Sequence, residues 1–296
     1  MSFDLNFCRR NGSAPATSEL KEYFSAQPCF EVNDVAEGGV EFVYENEETG
    51  VYCIFSYSPL DAGELEGCGA SGLSFNLNYV RPSFFAFETM PLVEKFCRHF
   101  DLVVEDLQEE TTQPAEASRL ISSWQSHNTW AMGAMKKVAE EDNMELSYLP
   151  EAKATEWWKY MSIKKELEDS LERDIFVPSL LILMDPAKTL SRLLLWPDGI
   201  AQFFPPADYV YVKREKKRLF GKKEEAGLVP YESVISASSS LLEEFEFGEH
   251  RLKYLGPEKT ASAQKVIQRL ELEPVDLSQY TRISSDDFHD VVLTDD

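Results

Sequence analysis

From Leu73 to Tyr79 apolar and polar residues alternate without a break, with Leu73, Phe75, Leu77 and Tyr79 on one side and Ser74, Asn76 and Asn78 on the other. A period of two marks a strand with one face in a core and one toward water. Arg81-Pro82 stops it, because proline restricts the residue before it and cannot extend a ladder. Upstream, Phe3–Cys8 reads as a short strand and Ser18–Gln27 as a helix, with Thr17 or Ser18 as its N-cap. Val40–Tyr44 and Val51–Tyr57 are β-rich runs joined by the polar turn Glu45 to Gly50, the pattern of a hairpin. A Gly-rich connector, Asp61 to Gly72, precedes the alternating strand. After it, Leu92, Val93, Phe96, Cys97 and Phe100 recur at helical spacing, and Leu102–Val104 makes a last short strand.

The middle of the chain changes period. From about Pro114 to Glu141 a stripe of Leu120, Trp124, Ala131, Met135 and Val138 predicts a helix, with Pro114 in a first turn that needs no N–H. A second helix is predicted over Glu151–Leu171, with Trp157, Tyr160, Met161, Leu167 and Leu171 inward. Strands return at Ile175–Met184 and Leu190–Trp196, and Trp196-Pro197-Asp198-Gly199 has turn chemistry that would let Ile200–Phe204 pair back. Tyr209–Val212 and Leu228–Ser236 flank a basic loop, Phe245–Phe247 and Leu252–Leu255 are candidate edge strands, and a helix over Pro257–Leu270 closes the series. Blocks of strands and blocks of helices, without regular alternation, predict an α+β protein with mixed, mainly antiparallel sheets and a helical middle segment packed on them. The corresponding regions are an N-terminal α+β region over 1–110, a helical segment over 111–172, a β-rich region over 173–272 and an acidic tail over 273–296.

Charge changes this picture most. The chain carries 52 acidic against 29 basic residues, a formal charge of -23 over 296 residues. A small domain is soluble at a magnitude of roughly 2–8. Residues 1–112 hold 20 Asp and Glu against 6 Lys and Arg, and residues 271–296 hold 8 against 1. Such regions attract cationic surfaces and repel nucleic acid and anionic membrane. The opposite cluster is Lys213 to Lys223, with seven basic residues and one Glu in eleven positions. It reads as a solvated hairpin tip or an internal partner for the protein's own acids. With 43% hydrophobic and 12% aromatic residues the chain has material for a core. No apolar run nears the roughly 20 residues of a membrane span. The start lacks signal-peptide organisation, and five unpaired-looking cysteines suggest a reduced, cytoplasmic protein.

Motifs of catalysis are weak. Gly67-Cys68-Gly69-Ala70-Ser71-Gly72 has the letters of a dinucleotide loop, but a strand follows it where the phosphate site needs a helix. His99, His127, His250 and His289 show no helical metal pair. Asp286, Asp287, His289 and Asp290 could approach a cation, yet read as a solvated tail. No nucleophile elbow, Walker lysine or zinc-helix motif is present. The expectation is therefore no catalytic residue, no metal and no cofactor.

The segments Thr49–Phe55 and Leu73–Tyr79, leading into Arg81-Pro82-Ser83-Phe84-Phe85-Ala86-Phe87-Glu88, are similar to small acidic bacterial proteins that accompany polymorphic toxins and are thought to act as immunity proteins. The similarity spans about the first 110 residues, rests on packing positions and carries over no functional residue. It implies a cytoplasmic immunity protein that binds a cognate toxin with a basic surface and contacts neither nucleic acid nor membrane. The contact residues expected on charge are Glu45, Glu47, Glu48, Glu64 and Glu66, with the semi-exposed Trp158 as an anchor. An adaptor in a larger assembly is the alternative. An enzyme using the Ser74/Asn76/Asn78 face as a polar pocket is a third reading.

Overall fold

A computed structural model of the chain describes residues 1–9, 14–59, 71–142, 145–172, 174–217 and 222–292. It forms two compact units, one of residues 1–146 with 285–296, the other of 147–284. Strands and helices are organised as an α+β protein with mainly antiparallel sheets. No helix among the described residues is long and apolar enough to cross a membrane.

In the first unit, β1 (Ser2–Arg9), β2 (Phe30–Asp34), β3 (Val40–Asn46), β4 (Val51–Tyr57), β5 (Leu73–Asn78), β6 (Leu102–Asp106) and β7 (Thr111–Gln113) form one antiparallel sheet in the order β2-β3-β4-β5-β1-β6-β7. Its helices are α1 (Thr17–Ser25), α2 (Phe84–Phe100) and α3 (Ala117–Glu141). Through the middle of the sheet alternate residues are buried: Phe3, Leu5 and Phe7 in β1, Phe42 in β3, Cys53 and Phe55 in β4, Leu73, Phe75 and Leu77 in β5. Phe24 of α1 stacks on Phe42 (4.2 Å) and Phe96 of α2 meets Phe7 edge-on (5.1 Å), so a phenylalanine layer joins helices to sheet. Each fully buried ring of this kind contributes about 1.5–3 kcal/mol. On α3 the buried stripe is Leu120, Trp124, Asn128, Ala131, Met132 and Ala139. Val138, expected inward, is 48% exposed. β2 and β7, short polar edge strands, were not expected. Of the described cysteines, Cys29, Cys53 and Cys97 are free as expected, while Cys8 departs from the expectation of reduced thiols in being disulfide-bonded.

The C-terminal segment belongs to this unit and is not a solvated tail. Ser285, Phe288, His289 and Asp290 are all buried. Asp290 accepts hydrogen bonds from the N–H (2.9 Å) and hydroxyl (3.1 Å) of Ser83, the residue that caps α2. Gly50, in the β3–β4 turn, has φ +67°, and a Cβ there would collide with Ser285 Oγ.

The second unit contains α4 (Glu151–Ser170), β8 (Leu181–Met184), β9 (Leu190–Pro197), β10 (Phe203–Phe204), β11 (Tyr209–Lys217), β12 (Lys222–Pro230), α5 (Tyr231–Ser238), β13 (Glu243–Phe247), β14 (His250–Tyr254), α6 (Thr260–Ile267) and β15 (Thr281–Arg282). One sheet runs β12-β11-β9-β8-β15 with β9 and β11 parallel, and another runs β10-β14-β13. Three expectations change here. Only Leu181–Met184 of the run from Ile175 is strand, with Pro178 upstream of it. The Phe203–Phe204 strand pairs with β14 instead of turning back on β9. The run Leu228–Ser236 splits at Pro230, where β12 ends and α5 begins, consistent with a residue that lacks a ladder donor and suits a helix start. On α4, Trp157 donates to the Leu180 carbonyl (2.7 Å) and Tyr160 to that of Pro178 (2.6 Å), so both tether the approach to β8.

Candidate functional site

Strict alternation in the first unit's strands has a second consequence: the side chains that do not enter the phenylalanine layer form one outward face. Register sets its rows. One row runs Thr112, Glu105, Asn6, Ser74, Ser56, Glu41, Asn33 across all seven strands. The next runs Asp4, Asn76, Ile54, Val43, Glu31. Tyr52 lies opposite Glu45 beyond it. Asp4, Glu31, Glu41, Glu45 and Glu105 give this face five carboxylates. No lysine or arginine occupies an outward strand position among the described residues.

The two halves of the face differ. Around β1 and β5 the polar groups bond to one another. Asp4 accepts from Ser2 (2.8 Å) and Asn76 (2.6 Å), Glu105 accepts from Asn6 (3.1 Å), and the Ser56 and Ser74 hydroxyls are 2.9 Å apart. The Ser74/Asn76/Asn78 set therefore forms part of a hydrogen-bonded ladder of side chains. Toward β2 and β3, Glu31 and Glu45 are exposed and Glu41 half-buried, and they surround Val43, Glu31 directly opposite it and Glu41 and Glu45 two residues away on its own strand. Like charges at such spacing repel.

One end of the face is built rigidly. Tyr52 Oη accepts from Arg81 Nη2 (2.7 Å) and Nε (3.2 Å) and from Asn78 Nδ2 (3.4 Å). The Arg81 guanidinium carbon lies 5.8 Å from the Tyr52 ring centre, and Phe85 meets that ring edge-on at 5.8 Å. Before Arg81, Val80 has φ +63°, a left-handed conformation that a β-branched residue adopts only when surroundings impose it. Asn128 of α3 imposes it, accepting from the Val80 N–H (2.7 Å) and donating to the Arg81 carbonyl (2.9 Å).

No family model, no curated protein and no solved structure matches this chain.

Of the residues expected at a contact, Glu45 stands on this face, Glu47 is exposed in the β3–β4 turn and Glu48 is half-buried there, its N–H donating to Asn46 Oδ1 (3.1 Å). Glu64 and Glu66, like most of the glycine connector, lie outside the described residues. Trp158 is a half-buried residue of α4 in the second unit. Glu31, Glu41, Asp4 and Glu105 were missed. Each sits in a strand whose outward parity was readable, but the rows that gather them come from register. The turn that carries Glu47 and Glu48 is fixed by Glu88 of α2, whose Oε1 accepts from Tyr44 (2.8 Å), Asn46 (2.8 Å) and Thr49 (3.0 Å). Burial, then the Glu88 charge, pushes the Tyr44 phenol far above its ordinary pKa. This hub anchors hairpin to helix.

Other polar features serve the protein's own structure. The cleft of about 1000 Å³ beside α6 is lined by Arg214, Lys216, Lys265 and Gln268. There Arg214 donates to the Ile267 (2.6 Å) and Leu270 (2.9 Å) carbonyls at the end of α6 and to Glu225 (3.2 Å), which also takes Lys216 (3.0 Å). Cations at a helix C-terminus oppose its dipole favourably. No group of three or more His, Cys, Asp and Glu residues among those described could hold a metal ion.

Proposed function

We propose that this chain is an immunity protein, which neutralises a cognate protein toxin by laying the open acidic face of its first unit against a cationic surface of that toxin. The observation that carries the reading is the face itself: five outward carboxylates and no cation in the same strands, on the side of the sheet away from the phenylalanine layer. A surface of one sign accelerates encounter with the opposite sign and discourages phosphate. Toxins that act on nucleic acid or nucleotides present basic clefts, so covering one requires no chemistry from the inhibitor. A contact of roughly 1,600 Å² would suffice for a stable complex. The place of action on this reading is the cytoplasm of the toxin-producing cell.

Co-expression with the product of a neighbouring toxin-like gene tests it. The two proteins should co-purify, and cells should survive induction of the toxin only when this chain is present. Survival that does not depend on this chain, with no complex recovered, would overturn the reading.

A further inference from the structure

The open face is not uniformly acidic. Val43 lies directly opposite Ile54 in the β3–β4 register, and Tyr52 follows two residues from Ile54 on the same side. These three make an apolar island bordered by Glu31, Glu41 and Glu45 on one flank, by the Asn76 and Asn78 amides on the other, and by the Arg81 guanidinium at the Tyr52 hydroxyl. We infer that binding free energy at this face is concentrated in the island, while the three glutamates set the rate of encounter. The occupant is a protein surface that presents an apolar side chain inside a ring of Lys and Arg. The inference rests on the toxin-binding reading above and names what that toxin must offer.

Two physical arguments support this division. Protein interfaces place aromatic and aliphatic residues at a centre that loses its water and leave charge at a wet rim, where it contributes little to affinity. The island and its flanking glutamates reproduce that arrangement, with charge complementarity choosing a cationic partner. Second, the Tyr52 ring is immobilised before any partner arrives, by three hydrogen bonds to its hydroxyl and by Phe85 at its edge. Arg81, which supplies two of those bonds, follows a backbone locked by Asn128. An anchor already held in one rotamer loses little entropy on binding. The Glu31, Glu41 and Glu45 carboxylates form no hydrogen bond or ion pair with the described residues, so their charge is free to act at a distance.

The test is stopped-flow and surface-binding kinetics with the purified product of the neighbouring toxin-like gene, using the full chain. Ile54→Asn should raise the dissociation rate by about tenfold or more and, being neutral, leave the salt dependence of association unchanged. Val43→Ser is the milder second variant, expected to raise it severalfold, and it keeps the test alive if Ile54→Asn does not fold by circular dichroism. The combined Glu31→Gln, Glu41→Gln, Glu45→Gln variant should slow association severalfold at low salt and change dissociation less than about twofold. A wild-type complex whose dissociation is unmoved by both apolar substitutions would overturn the island while leaving the toxin-binding reading in place. No complex with the wild-type chain would overturn both.

Discussion

The outward sheet face of the first unit and the sheet of the second unit handle charge in opposite ways. In the second, β9 is buried on both sides over Arg192, Leu193 and Leu194, so a charge there must find partners inside the unit. Arg192 meets Glu156 (2.8 Å) and Asp208 (3.4 Å), and Lys153 reaches Asp208 from the other side (2.7 Å). Surface charges in this unit are paired too: Lys213 with Glu224, Lys259 with Glu243, Arg251 with Glu244 and Glu246. In the first unit one side of the sheet carries no helix-facing core, and its carboxylates meet only neutral donors or none. Buried charge is coupled to folding, because an unpaired ion in a low-dielectric interior is costly. Unpaired charge on an open sheet does little for folding, and that leaves it available for recognition.

The largest expected effect breaks the paired region. Arg192→Ala removes the guanidinium from Asp208, whose side chain is 14% exposed, and leaves it with Lys153 alone, which should cost about 1–3 kcal/mol, read as a lowered urea midpoint. A substitution that leaves the midpoint unmoved would mean the network is ornamental. Acid separates the two units next. Burial pushes the Asp208 carboxyl up, but the Arg192 N–H, the Lys153 ammonium and the Arg192 guanidinium outweigh it and hold its pKa below the ordinary value. A depressed carboxylate stabilises above its unfolded pKa, and that contribution is lost as pH falls below about 4. His289 in the first unit is also depressed, by burial, despite its Val291 hydrogen bond. Protonation then favours the unfolded chain, so the C-terminal segment should loosen earlier, as pH drops below about 6.5. Hydrogen exchange should show residues 285–292 opening at pH 5 while α4 and β9 stay protected until near pH 3. The smallest effect sharpens the open face. Replacing Glu31, Glu41 and Glu45 by Gln should stabilise the chain by a few tenths of a kcal/mol at low salt, with the gain fading as salt screens the repulsion. A clear loss of stability would show that these carboxylates have folding partners after all.

Much of the first unit was legible because one solvated face forces a period of two. Leu73–Asn78 displayed both its core side and its open side in six letters. The strands β2 and β7 were not legible, since Glu31, Asn33 and Asp34 suit water and only pairing with Val40–Tyr44 makes them a strand. In the second unit, burial on both faces removes the alternation. There α5 was taken for strand, because Val234 and Ile235 favour a pleated surface as readily as a buried helix. The acidic hairpin pointed to Glu45, but the apolar island was invisible: Val43 and Ile54 look like any strand residues until register sets them side by side. Asp290 was lost for a different reason, as a contact with Ser83 across 207 positions leaves no local trace.

The central claim, that the open face of the first sheet is the contact, is tested most directly by hydroxyl-radical footprinting with and without the neighbouring toxin-like protein. Trp130, 69% exposed on α3, and the half-buried Trp158 provide internal comparisons. The account predicts that oxidation of Tyr52 falls severalfold in the complex while Trp130 and Trp158 are unchanged. Protection of either tryptophan with Tyr52 still fully reactive would contradict it.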